Sequence, residues 1–176
     1  MGNHEERSEN KSVHMLMALA RASQGQKSRC IRSVEKGFGD EVAMLEARLK
    51  VLGGYWRIHR TVNARDTEKA RQNLLCKLIQ CPEKAGYIDS EWRTALLQSN
   101  CIYGEKRFML DVDTKNEAAL LEIEHKITMA NFIERHQSPK GWHYITKPFD
   151  TREVCKLEDV TLIRDGYYFV KEVGKQ

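Results

Sequence analysis

The period of the apolar residues changes along this chain, and that change constrains its fold more than any other feature. In "EVAMLEARLKVL" (residues 41–52) apolar side chains recur every three to four positions, which predicts an amphipathic helix. Gly53 and Gly54 stop it, and "YWRIHRTV" (residues 55–62) then alternates as a half-buried strand does. Asp40 is the expected cap of that helix and "KGFGD" its preceding turn. Such switching excludes an all-helical bundle and an all-β sandwich. The predicted class is α+β, a mixed or antiparallel sheet with helices packed on one face.

The same reading extends to the rest. "SVHMLMALARAS" is expected to form a helix over Ser12–Ala22, and "RCIRSVE" a strand. "DTEKARQNLLCKLIQ" reads as a helix capped by Asp66, and "DSEWRTALLQSN" as a helix capped by Asp89 or Ser90. "RFMLDVD" is a strand, "KNEAALLEIEHKITMANFIERH" one or two helices, and "WHYIT" a short strand ending before Pro148. "DTREVCK" reads as one helical turn. "VTLI" and "YYFVKEV", separated by Arg164-Asp165-Gly166, read as a hairpin, because Asp-Gly between apolar runs favours a tight turn.

At 176 residues the expectation is one domain over 12–176, preceded by a polar, disordered tail over 1–11. No apolar run reaches the roughly 18 residues of a membrane span, and the polar start lacks the apolar core of a secretory signal. No membrane partner and a cytoplasmic location are therefore expected. The +4 net charge allows a phosphate-rich partner without requiring one. The odd, scattered cysteines (Cys30, Cys76, Cys81, Cys101, Cys155) read as reduced thiols, small and buried, rather than as a disulfide framework or a zinc site.

Three short stretches carry chemistry. Asp111 and Asp113 alternate with Leu110 and Val112, so both carboxylates point to one face of a strand end, where they repel unless a divalent cation joins them. In "SPKGWHYITKPF", Gly141 permits close backbone approach, His143 opens a strand, and Ser138, Lys140 and Lys147 offer donors suited to phosphate. Asp165, with Asp159 nearby, supplies a further acid. Arg57 and Arg60, with His59, are basic positions on the strand after Gly54.

The order of these pieces, Leu110-Asp111-Val112-Asp113, then Gly141-Trp142-His143, then an apolar strand leading to Asp165, resembles the archaeo-eukaryotic primase (primase-polymerase) superfamily in a small phage type. The segment "SPKGWHYITKPF" strengthens the likeness, which spans about Tyr55 to Val170. The resemblance implies a primase-polymerase-like fold with an RRM-like catalytic half. It implies a metal-dependent nucleotidyltransferase with Asp111, Asp113 and Asp165 (or Asp159) holding two Mg²⁺ or Mn²⁺. Ser138, Lys140, Gly141, His143 and Lys147 would bind a nucleoside triphosphate. Arg57 and Arg60 would meet single-stranded or primed nucleic acid, in the host-cell cytoplasm if the gene is phage-borne. The alternative is a catalytically silent primase-fold protein that binds nucleotide or nucleic acid, or inhibits a protein complex. Gly141 stands where the superfamily often has serine, and Asp165 lies in a turn; both bear on catalytic competence.

Overall fold

The structure is a computed structural model in which residues 11–20, 29–35 and 40–174 are described. Residues 1–10 of the expected tail, residues 21–22 of the expected first helix and the 36–39 turn lie outside them. The described residues form nine strands and four α-helices in an α+β arrangement. In chain order these are β1 (Ser12–Ala20), β2 (Arg29–Glu35), α1 (Glu41–Leu52), β3 (Trp56–Thr61), β4 (Arg65–Asp66), α2 (Thr67–Gln80), α3 (Ile88–Leu96) and β5 (Phe108–Val112). They continue with α4 (Glu117–Lys126), β6 (Phe132–Gln137), β7 (Trp142–Thr146), β8 (Val160–Ile163) and β9 (Tyr167–Val173). None of the described helices is long and apolar enough to cross a membrane.

The strands make two sheets, one ordered β2-β1-β3-β9 with β4 added to β1, the other ordered β6-β7-β5-β8. All their pairings are antiparallel.

Helix starts follow local chemistry. Asp40 accepts from the Ala43 amide, Asp66 from Glu68 and Lys69, and Asn116 from Ala118 and Ala119, each satisfying otherwise orphaned donors. The start of α3 differs from the expectation. No side chain caps it, and a 3₁₀ segment from Pro82 to Tyr87 runs directly into it.

Residues 12–20 are a strand, not a helix. β1 lies between β2 and β3. Its Leu16, Ala18 and Ala20 pack with Leu45 and Leu49 of α1, while Val13 and Met15 pack with Ala70 and Leu74 of α2 and Ala95 and Leu96 of α3. A strand buried on both faces loses its alternation, and a continuous apolar run then matches helical spacing by accident. The five-stranded sheet therefore carries helices on both faces. The expected single helical layer belongs to the four-stranded sheet, where α4 covers Leu110, Val112 and Tyr144. The opposite face of that sheet, through Met109 and Ile145, packs on Val62 and Tyr168 beside the other sheet.

Two further expectations change. Residues 132–137 form β6 rather than a second helix. β8 and β9 are strands but do not pair with each other: β8 joins β5, and β9 joins β3. The Arg164-Asp165-Gly166 segment is thus a crossover between sheets, not a hairpin turn. Of the five free cysteines only Cys101 is buried; Cys81 is partly buried, and Cys30, Cys76 and Cys155 are exposed.

Candidate functional site

The register of the four-stranded sheet sets one polar row. His136 of β6 stands opposite His143 of β7, His143 opposite Asp111 of β5, and Asp111 opposite Thr161 of β8. His143 Nε2 lies 3.2 Å from Asp111 Oδ1. The Phe169 amide of β9 donates to His143 Nδ1 at 3.0 Å. An amide can only donate, so Nδ1 is the acceptor and the proton sits on Nε2, directed at the Asp111 carboxylate. β9 is an edge strand of the other sheet. His143 therefore terminates an edge amide and ties the two sheets together at the point where Asp111 emerges. It is only 7% exposed.

His143→Ala should leave the Phe169 amide without its acceptor and cost about 1–3 kcal/mol. Equilibrium urea unfolding measures this. An unchanged midpoint would mean that water or another group takes the amide at no cost.

Other rings collect around this tie. His59 of β3 lies opposite Phe169, and their rings meet edge to face with centroids 6.0 Å apart. Burial holds His59 below the usual imidazole pKa. Its Nδ1 is buried without a hydrogen bond. His136 stacks on Tyr168 with centroids 4.4 Å apart.

Asp113 follows β5, and its amide donates to the Asp159 carbonyl at 2.9 Å. Its side chain is 48% exposed, with Lys140 Nζ 3.7 Å away. Lys140 sits in the turn between β6 and β7. Within that turn Ser138 N–H donates to the Gly141 carbonyl at 2.9 Å, and Gly141 N–H donates to Ser138 Oγ at 3.0 Å. A Cβ on Gly141 would lie 2.0 Å from the Val112 carbonyl oxygen and under 3 Å from backbone atoms of Thr114. The close approach that glycine permits is thus to the end of β5.

The fold therefore brings Asp111, Asp113, Ser138, Lys140, Gly141 and His143 to one sheet end. The remaining candidates lie elsewhere or are engaged. Asp165 accepts two hydrogen bonds from Arg65, at 2.6 and 3.0 Å, and one from Asn63 at 3.1 Å. Arg65 is 2% exposed. Arg57 pairs with Glu172 at 3.2 Å, and Arg60 pairs with Glu35 at 2.6 Å and bonds the Tyr168 hydroxyl. Lys147 stands past the far end of β7 from His143, in a separate cleft with His14, Tyr103, Glu105 and Arg107. Among the described residues no three His, Cys, Asp or Glu side chains stand together as a metal site.

Sequence reasoning did not find Thr161, Arg65 or the Phe169 amide. Nothing local marks them; each gains its role from a partner distant in the chain.

Compared with known proteins, the chain matches no family model, no curated protein and no solved structure.

Proposed function

We propose that this is a primase-like nucleotide-binding protein that takes a nucleoside triphosphate at Asp111 and Asp113 without polymerising it. The observation that carries this reading is the engagement of Asp165. Its carboxylate is taken by the buried Arg65 and by Asn63, and the residue facing Asp111 from β8 is Thr161. A two-metal centre bridges several carboxylates to the attacking and leaving oxygens; among the described residues no third carboxylate, neither Asp165 nor Asp159, joins Asp111 and Asp113 in one cluster, and this donor set does not fit such a centre. A single divalent ion is a different matter. Mg²⁺ keeps several waters and is commonly held by one or two carboxylates plus phosphate oxygens. Asp111 and Asp113 fit that role, and the ion would neutralise their mutual repulsion while binding the triphosphate.

The chain's own groups supply the rest. His143 orients Asp111 through Nε2–H, with its tautomer fixed by the Phe169 amide. Lys140, 73% exposed, is free to swing from Asp113 to a phosphate. Arg57 and Arg60 are held by Glu172 and Glu35, so a nucleic-acid strand along β3 has no support from them. The polymerising alternative keeps one observation in its favour, the convergence of both aspartates and His143 at a single sheet end.

Calorimetric titration with Mn²⁺ and a non-hydrolysable nucleoside triphosphate tests the reading. Nucleotide binding should require Mn²⁺ and weaken about 10- to 100-fold in Asp113→Asn, the loss of one charged ligand. Saturating metal with nucleotide should also raise the melting temperature, because a ligand specific for the native state stabilises it. Primer extension with Mn²⁺ should give no product. Elongated product would overturn the non-polymerising claim, and metal-independent or absent nucleotide binding would overturn the site itself.

A further inference from the structure

A cleft of about 450 Å³ lies at the opposite end of β5 and β7 from Asp111 and His143. It is formed by His14 of β1, Ala64, the Tyr103–Arg107 loop, Ile133 and Lys147. Its volume falls in the usual range for small-molecule sites. Its charged groups are not matched within the protein. Lys147 has no ion pair among the described residues, and the one pair made by Arg107, with Glu134, is long at 3.9 Å. Glu105 is the one carboxylate on the cleft wall. Tyr103 is 42% exposed there and offers a ring face. His14 Nδ1 lies 2.9 Å from the Thr61 carbonyl and so donates to it, leaving Nε2 as an acceptor in the free protein.

We propose that this cleft is a second site, independent of Asp111 and Asp113, for a phosphorylated small molecule. Its phosphate would bind Arg107 and Lys147, and its planar group would lie against Tyr103. Guanidinium and ammonium donors lining one cleft suit a phosphate oxyanion. A half-exposed tyrosine ring suits stacking of a base. The same phosphate chemistry occurs on a mononucleotide and on a nucleic-acid backbone. The cleft's volume of about 450 Å³, the size of a small molecule rather than of an extended strand, favours the former.

The surroundings of His14 are cationic, as an anion site requires. Burial chiefly, then the charges of Arg60, Arg107 and Arg65, lower its pKa from 6.5 to about 4. Two of the carboxylates near it are engaged. Glu35, opposite His14 across β1 and β2, pairs with Arg60, and Asp165 pairs with Arg65. Glu105 and Lys147 share the cleft wall, and Tyr103 adds its hydroxyl. The folded state thus takes up the His14 proton at lower pH than the unfolded chain. This contribution to stability is present above about pH 6.5 and lost as pH falls toward 4. A bound phosphate would oppose the arginine charges and raise that pKa.

Proton NMR of the His14 ring, with adenosine monophosphate, inorganic phosphate and a dinucleotide carrying only a phosphodiester as probes, decides the matter. Adenosine monophosphate should bind more tightly than inorganic phosphate and the diester, and should shift His14 titration to higher pH. Lys147→Gln should weaken binding at least about tenfold, and Asp111→Asn should leave it unchanged. Lys147 is an exposed side chain, so its variant is expected to fold, and the melting temperature checks this. Tighter binding of the diester would assign the cleft to nucleic acid. No binding by any probe, or binding lost in Asp111→Asn and kept in Lys147→Gln, would overturn the proposal.

Discussion

Gly141→Ala is expected to destabilise the protein by about 3 kcal/mol or more, lowering the melting temperature by roughly 6–12 °C. The added Cβ would stand 2.0 Å from the Val112 carbonyl oxygen, 2.7 Å from the Thr114 carbonyl oxygen and 2.8 Å from the Thr114 amide nitrogen. All three are backbone atoms, so no side chain can rotate away. Either the β6–β7 turn or the end of β5 must shift, and Asp113 lies between Val112 and Thr114. The loss of stability should therefore come with weaker Mn²⁺-dependent nucleotide binding. Ser138→Ala is the milder control, since it removes the acceptor of the Gly141 amide and should cost about 1–3 kcal/mol. Parallel thermal and urea unfolding measures both. A Gly141→Ala variant that melts like the wild type would mean that the two strand ends do not approach as described.

How legible the fold was in the sequence depended on how local each signal is. The caps at Asp40 and Asp66 were readable because a side chain bonds an amide two or three residues on. The strands over 56–61 and 142–146 were readable from alternation and flanking turn residues. β1 was not, because it is buried by α1 on one side and by α2 and α3 on the other, and burial on two faces erases the period. β6 was missed for the opposite reason. It is an edge strand with three exposed and three partly exposed residues and none buried, so its pattern continued the polar helix before it. The pairing of β8 with β5 and of β9 with β3 depends on tertiary packing, and an Asp-Gly step between two apolar runs does not report it.

The candidate site divides along the same line. Asp111, Asp113 and His143 were found because strand alternation and motif spacing put them together. Lys147 is four positions from His143, and strand geometry carries it to the other end of β7. The same "SPKGWHYITK" segment thus contributes to two different ends of one sheet. Gly141 was expected to permit close backbone approach, and the backbone it meets is the end of β5. The ties that decide what Asp165 and His143 do, Arg65 and the Phe169 amide, are separated from them by 100 and 26 residues, beyond the reach of any local pattern.

Asp165→Ala is expected to cost about 3–5 kcal/mol, because it leaves a buried cation without its partner. Arg65 is 2% exposed and directs two N–H donors at the Asp165 carboxylate. Asp165 also holds Asn63, whose side chain bonds the Arg107 backbone through both its carbonyl oxygen and its amide. The arrangement fixes the crossover from β8 to β9, where the Val62 amide also donates to the Gly166 carbonyl at 2.9 Å. The two partners are not equivalent. Removing the arginine leaves a carboxylate that is 24% exposed and still bonded to Asn63; removing the aspartate leaves a guanidinium that is 2% exposed in the native fold without its carboxylate. Arg65→Met should therefore cost less than Asp165→Ala, and the double variant should recover part of the loss, since the stranded charge is gone. Urea unfolding of the four proteins gives the coupling. Asp165→Asn adds the functional readout. It keeps the shape of the side chain, weakens the hold on Arg65, and should lower stability while leaving Mn²⁺ and nucleotide affinity at Asp111 and Asp113 unchanged. A variant with wild-type stability and lost metal binding would instead make Asp165 a metal ligand, restoring the three-carboxylate, polymerising reading of the site.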